Sequence, residues 1–223
     1  MKNDTSNQGR RTILKASAAL LAAGLMPSMS AAFAQAAFKR TQDQILGPFY
    51  PIMSEPNRSG DLTRVSGGSG RAKGQLLVVK GRVIDPSGKP VSGAAIEIWQ
   101  ANAVGRYAHP DDTNPAPLDP NFEGFGALTS DADGRYEFLT IKPPPYPISP
   151  DRTRPAHIHF DVRGRHDELV TQMYFAGDPY LQKDPYLQSA FDPGSLIVKL
   201  DSREKDRNAS APVVAVFDIV IRG

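Results

Sequence analysis

The sequence predicts an all-β protein, an antiparallel β-sandwich of about eight strands, and two observations carry that expectation. The 223 residues include 19 Gly and 20 Pro. Prolines recur through the second half, where each one inside a helix would remove a hydrogen bond and clash with the preceding turn. Beyond residue 75 no long segment keeps a 3.6-residue apolar period, whereas short runs rich in Val, Ile and aromatics recur between Gly, Pro and Asp clusters. Strands are expected at 76–85, ending in the turn Pro86-Ser87-Gly88, and at 94–101, where Ile96 and Ile98 alternate with Glu97 and Trp99. The pair 125–130 and 135–141 flanks the hairpin-type loop Asp131-Ala132-Asp133-Gly134. Segments 156–162, 169–175, 196–200 and 213–221 complete the set, with one short helix expected near 185–191.

Composition divides the chain into three parts. Residues 1–34 open polar and basic, reach Gly9-Arg10-Arg11-Thr12-Ile13-Leu14-Lys15, pass through an apolar run from Ala16 to Met26, and arrive at Ala32-Phe33-Ala34. That order is the layout of a cleaved export signal, and the paired arginines resemble a twin-arginine signal. Export, to the periplasm, is therefore expected, with cleavage after Ala34 or Ala36. The apolar run is too short and too rich in Ala and Gly to span a membrane stably, so no membrane insertion is expected after cleavage. Residues 35–75 are polar, with Gly47-Pro48-Phe49-Tyr50-Pro51 and a Gly/Ser-rich patch at 66–70. They read as an irregular arm wrapping a body or a partner. Residues 76–223 form the sandwich domain, with long loops.

Charge and cysteine count exclude several classes. Lys2, Arg10, Arg11 and Lys15 against Asp4 give the leader a surplus of three, so its removal takes the formal charge from +2 to −1. No basic stripe remains for nucleic acid, and small-molecule partners are expected. The absence of Cys rules out a disulfide scaffold, thiolate zinc, Fe–S clusters and a Cys nucleophile. The four histidines are His109, His157, His159 and His166, so a metal site would have to draw on oxygen ligands.

The sharpest motif is Arg154-Pro155-Ala156-His157-Ile158-His159-Phe160-Asp161. Side chains alternate faces along a strand, which puts His157, His159 and Asp161 on one side and Ile158, Phe160 and Val162 on the other. Two imidazoles so spaced can converge on one ion; the competing reading is the polar face of a half-buried sheet. Upstream lies a stiff loop, Lys142-Pro143-Pro144-Pro145-Tyr146-Pro147-Ile148, and earlier the chain leaves a strand at Trp99 for a loop carrying Tyr107 and His109. His109 and His166 stand in loop contexts and are not expected to be ligands. Tyr136, Tyr174, Tyr180 and Tyr186 read as surface packing residues.

Taken together, Trp99 to Tyr107, Leu118-Asp119-Pro120-Asn121-Phe122, Pro145-Tyr146-Pro147, Arg154 to His159 and Thr171-Gln172-Met173-Tyr174-Phe175 resemble the intradiol ring-cleavage dioxygenases, with protocatechuate 3,4-dioxygenase-type chains the nearest likeness. The resemblance runs from about Thr41 to at least Pro179. It implies one non-haem Fe(III) per active site, held by Tyr107, Tyr146, His157 and His159, with Tyr107 and His157 equatorial and Tyr146 and His159 axial. It implies Arg154 beside the substrate ring and Gln172 in the pocket. It further implies a protocatechuate-like catechol and O₂ as substrates, cleavage between the two hydroxylated carbons to a cis,cis-muconate-type diacid, and Tyr146 as the ligand that departs when substrate binds. A homo-oligomer or a sister subunit is the expected protein partner. A hard trivalent ion suits such anionic oxygen donors.

Two departures from the family pattern stand in the loop: Ile148 replaces the usual Trp, and Pro144 the usual Gly, which alters pocket shape. Rival readings start from other residues. Gly81 to Ala94 followed by Thr129 to Tyr136 resembles non-catalytic transthyretin-like β-modules, whose architecture the intradiol enzymes share. A Zn or Fe(II) site built from His157, His159 and Asp161 would leave both tyrosines without a role.

Overall fold

The computed structural model describes residues 37–52 and 55–222; the expected leader, 1–34, lies outside them. Its strands, in chain order, are β1 (Leu76–Ile84), β2 (Ala95–Trp99), β3 (Phe125–Thr129), β4 (Arg135–Ile141), β5 (Tyr146–Ser149), β6 (Arg152–Arg154), β7 (His157–Arg163), β8 (Glu168–Phe175), β9 (Ile197–Val198), β10 (Leu200–Asp201), β11 (Val213–Val216) and β12 (Ile219–Val220). Two short helices, α1 (Pro185–Gln188) and α2 (Arg203–Arg207), and two 3-10 turns, Leu181–Lys183 and Pro193–Leu196, lie between β8 and β11.

One sheet centres on β1, with β4 along one side and β11, β12 and β10 on the other. The second has the order β3-β2-β7-β8-β9, and β5 and β6 form a separate ribbon. Strand alternation builds the core. Leu77, Val79 and Val83 of β1 and Phe138 of β4 share one buried cluster with Ile96 and Ile98 of β2 and Ile158, Phe160 and Val162 of β7. The Phe160 ring meets Phe138 at 6.1 Å and Phe217 at 5.3 Å, bridging the sheets. Each such side chain contributes about 1.5–3 kcal/mol on burial.

The sandwich is mixed rather than purely antiparallel. β1 pairs in parallel with β11 and β12, and β8 with β9, because the chain returns through the helical crossover after β8 and re-enters each sheet in the direction it left. The single strand expected at 196–200 is two: Ile197–Val198 pairs with β8, then the chain crosses at Lys199 and Leu200–Asp201 pairs with β11 in the other sheet. The run 213–221 also breaks, at Phe217-Asp218, where Phe217 N donates to Lys80 O and the Asp218 carboxylate accepts from Arg82 N. The stiff loop holding Tyr146 is a two-stranded ribbon with an irregularity between Pro147 and Ser149.

Among its described residues the 35–75 arm forms isolated bridges but no strand or helix. It lies on its own body and bonds to both sheets: Thr41 N donates to Val220 O, Gln44 N to Val170 O, Asn57 N to Phe125 O and Leu62 N to Leu139 O, each at 2.8–2.9 Å.

Candidate active site

Both faces of β7 are buried, and for different reasons. The Ile158 face meets the other sheet, while the His157 and His159 face is roofed by loops and by the arm. Ala156 N donates to Asp178 Oδ2 at 2.8 Å, which fixes the entry to β7. Cross-strand register then sets the neighbours: Trp99 of β2 pairs with His159 and stacks on it at 4.8 Å and 10°. On the other side Tyr174 stands opposite His157 and Gln172 opposite His159.

The two tyrosines arrive from separate supports. Asn102 Oδ1 accepts from Val104 N and Arg106 N, closing a tight turn, and Asp112 Oδ2 takes Tyr107 N at 2.6 Å. The turn passes so close to the ribbon that a Cβ on Gly105, whose φ is +80°, would stand 2.7 Å from Tyr146 Cβ. Tyr107 and Tyr146 meet edge-on at 5.7 Å, and Tyr146 lies 5.6 Å from the His157 ring. Tyr107 Oη donates to His157 Nε2 at 3.4 Å, and the Nε2 atoms of His157 and His159 are 3.2 Å apart. The four residues proposed from sequence as ligands are thus brought together.

The donor set fits a cation. His157 Nδ1 donates to Pro155 O at 2.7 Å, so its Nε2 carries the lone pair that faces the cluster. His159 is 3% exposed and its Nδ1 has no partner. Burial lifts the Tyr107 phenol well above its ordinary value, and Tyr146 less far; it lowers His157 to about 3 and His159 well below the usual imidazole range. The Arg154 charge lowers both imidazoles further and opposes the rise of both phenols, so the four groups stay neutral around a shared centre. A hard trivalent ion would turn both phenols into phenolates and match their oxygen donors.

The His-carboxylate alternative is not assembled. The Asp161 carboxylate pairs with Arg163 rather than with the imidazoles, and among the described residues no three His, Asp or Glu side chains converge. His109 packs 5.7 Å from Phe49 outside the quartet, and His166 is exposed.

Arg154, the last residue of β6, pairs in register with Tyr146 and lines a cavity of 530 Å³ with it. Its Nε donates to Asp184 Oδ2 at 2.6 Å and its Nη2 to Gln172 Oε1 at 2.7 Å and Tyr174 Oη at 3.2 Å, while its guanidinium lies 4.7 Å over the Tyr186 ring. Gln172 is fully buried and does not line the cavity; it ties Arg154 to the arm by donating to Ile45 O at 2.8 Å. The arm is the roof. Phe49 packs 4.9 Å from Tyr107, and Gly47 lies so near His159 that a Cβ there would stand 3.2 Å from its ring.

Two of these supports, Tyr174 and Tyr186, escape a sequence reading, and a third, Asp184, is only half visible in it. Tyr174 is buried in the Arg154 network and Tyr186 lines the cleft, so neither is a surface packing residue; Tyr136 is core, its hydroxyl donating to Phe217 O. Asp184 does leave a signal, Asp-Pro at a helix start, and its Oδ1 accepts from Leu187 N at 2.8 Å as an N-cap. Nothing in the sequence says that its other oxygen holds Arg154.

A β-sandwich with a buried cluster of phenols and imidazoles, reached by a largely apolar cleft through Tyr146, has the makings of a small-molecule enzyme rather than an inert module. Residues 45–223 match the family model described as Dioxygenase, and the chain belongs to that family, the intradiol ring-cleavage dioxygenases. It is 45% identical over 191 residues to the protocatechuate 3,4-dioxygenase beta chain of Burkholderia cepacia, covering 83% of this chain and 80% of that one. It is 33% identical over 158 residues to the hydroxyquinol 1,2-dioxygenase of Rhizobium sp., covering 65% of this chain and half of that relative's length. Among solved structures, 3-chlorocatechol 1,2-dioxygenase from Rhodococcus opacus 1CP superposes with a TM-score of 0.65 at 26% identity, covering 81% of this chain and 71% of that one.

Proposed function

We propose that this chain opens a catechol-type ring between its two hydroxylated carbons, using O₂ and one Fe(III) held by Tyr107, Tyr146, His157 and His159. The convergence of two phenols and two imidazoles carries the reading: Tyr107 Oη and both imidazole Nε2 atoms form a chain of contacts at 3.4 and 3.2 Å, and the Tyr146 ring packs on Tyr107 and His157 at 5.7 and 5.6 Å. The bound ion would supply the charge that ionises the diol and makes the ring electron-rich enough to react with O₂. The chain's own residues do the rest. Tyr146 lines the cleft, so its Oη is placed to accept a proton from an incoming diol. Arg154 presents a fixed positive charge beside Tyr146 and stabilises negative charge developing on the ring. Ile45, Pro48 and Phe49 of the arm supply one apolar wall of the cleft. The net reaction joins both atoms of O₂ to the cleaved carbons, giving a cis,cis-muconate-type diacid.

We also propose, from the twin-arginine-type pattern expected at 1–34, that the enzyme is exported from the cytoplasm, and that a second copy or a sister chain is its partner; cell fractionation and light scattering test these. The activity is tested by oxygen uptake with a series of catechols. One O₂ per catechol and a product carrying both former hydroxyl-bearing carbons as carboxyls is expected; cleavage beside the diol, or no uptake by iron-replete protein, would overturn it.

A further inference from the structure

The cleft has an uneven charge inventory. Arg154 and Asp112 are the charged residues lining it, and neither offers a cation to a charged group on the ring's far side. The Arg154 guanidinium is balanced by Asp184 at 2.6 Å, both side chains being almost wholly buried. Asp112 is itself an anion, with Oδ2 accepting from Tyr107 N and Oδ1 from Asn114 N at 2.9 Å. The three charges sum to one excess negative. Beyond them the walls are apolar or neutral, with Ile45, Pro48, Pro147, Ile148 and Pro150 prominent.

Arg154 also stands on the wrong side. It is in register with Tyr146, next to the phenol and imidazole cluster that the diol would approach. Substituents at ring positions 4 and 5 of a catechol point away from the diol, so they extend toward the far walls and the mouth, where the described lining holds no cation. A carboxylate there would give up water without gaining a cationic partner from this lining.

We propose that this cleft selects catechols whose ring substituents are uncharged, namely hydrogen, alkyl or halogen, and discriminates against ring carboxylates. The inference rests on the dioxygenase reading and narrows its substrate class. It departs from what the name of the Burkholderia relative says of that protein. Ile148, 44% exposed at the cleft wall, is the apolar surface such a substituent would cover.

The test compares kcat/KM for catechol, 4-methylcatechol and protocatechuate with full-length, iron-replete protein. The two neutral substrates are expected to exceed protocatechuate by about tenfold or more; equal or higher efficiency with protocatechuate overturns the proposal. If none is turned over, the dioxygenase reading fails, and calorimetric binding of the same three compounds still decides selectivity, tighter binding of protocatechuate counting against it. Ile148→Lys supplies the missing cation at an exposed position. It should raise the protocatechuate to 4-methylcatechol ratio about tenfold, and an unchanged ratio would show that charge does not set the preference.

Discussion

Tyr107 and Tyr146 bring the same chemical group to the same place and are held in opposite ways. Tyr107 sits on a turn locked by Asn102 and Asp112, packed under Phe49, and does not line the cleft. Tyr146 rides a four-residue strand of an isolated two-stranded ribbon and forms part of the cleft wall. The ribbon lies outside both sheets and is anchored through the side chain of Arg154, whereas the Tyr107 turn is tied through its own backbone. On the proposed function, the difference would make Tyr107 the fixed phenol and Tyr146 the one that yields to substrate.

The largest expected effect removes the fixed member. Tyr107→Phe should purify with little bound iron and lose activity to background; full iron content would place Tyr107 outside the donor set. Removing the yielding member should separate the roles. Tyr146→Phe is expected to keep iron yet slow catechol association by about 10²-fold, as loss of a proton acceptor does, read by stopped-flow. Unchanged kinetics would make the two phenols equivalent.

A smaller effect is expected where the ribbon meets its anchor. Asp184→Asn keeps an N-cap acceptor for α1 but removes the charge that holds Arg154. It should lower kcat by about 10–100-fold, as loss of an orienting partner does, with little change in KM; a purely structural role would instead lower Tm and leave kcat of the folded enzyme intact. Gly105→Ala puts a Cβ against Tyr146 at a position with φ of +80°. It should cost about 1–3 kcal/mol in urea unfolding.

The smallest effect concerns the roof. Arg40 donates to both oxygens of Asp167 and holds its carboxyl down at about 2, against an ordinary 3.8. A carboxyl depressed in the fold stabilises it above the unfolded value and loses that contribution as pH falls toward 2. Protection of the Thr41 and Gln44 amides, taken relative to their intrinsic exchange rates at each pH, should therefore fall between pH 4 and pH 2, and Arg40→Ala should remove that dependence.

The sequence shows β7 because strand alternation is encoded residue by residue, so His157 and His159 fall on one face and Ile158 and Phe160 on the other. It shows Tyr107 and Tyr146 only through family resemblance, since nothing local says that loops so far apart in sequence converge. The ribbon around Tyr146 is hidden because Pro147 argues against a strand, although an edge ribbon tolerates a missing N–H. The parallel pairing of β9, β11 and β12 is hidden because a two-residue period carries no direction. The Asp184 contact is hidden for a third reason: its cap signature is local, but its partner lies 30 residues away.

The most direct test of the account is the visible spectrum and metal content of the freshly purified protein. Iron at one per chain, with a burgundy-red phenolate-to-Fe(III) charge-transfer band that shifts when a catechol is added, is the predicted result. A colourless protein carrying stoichiometric zinc would contradict it.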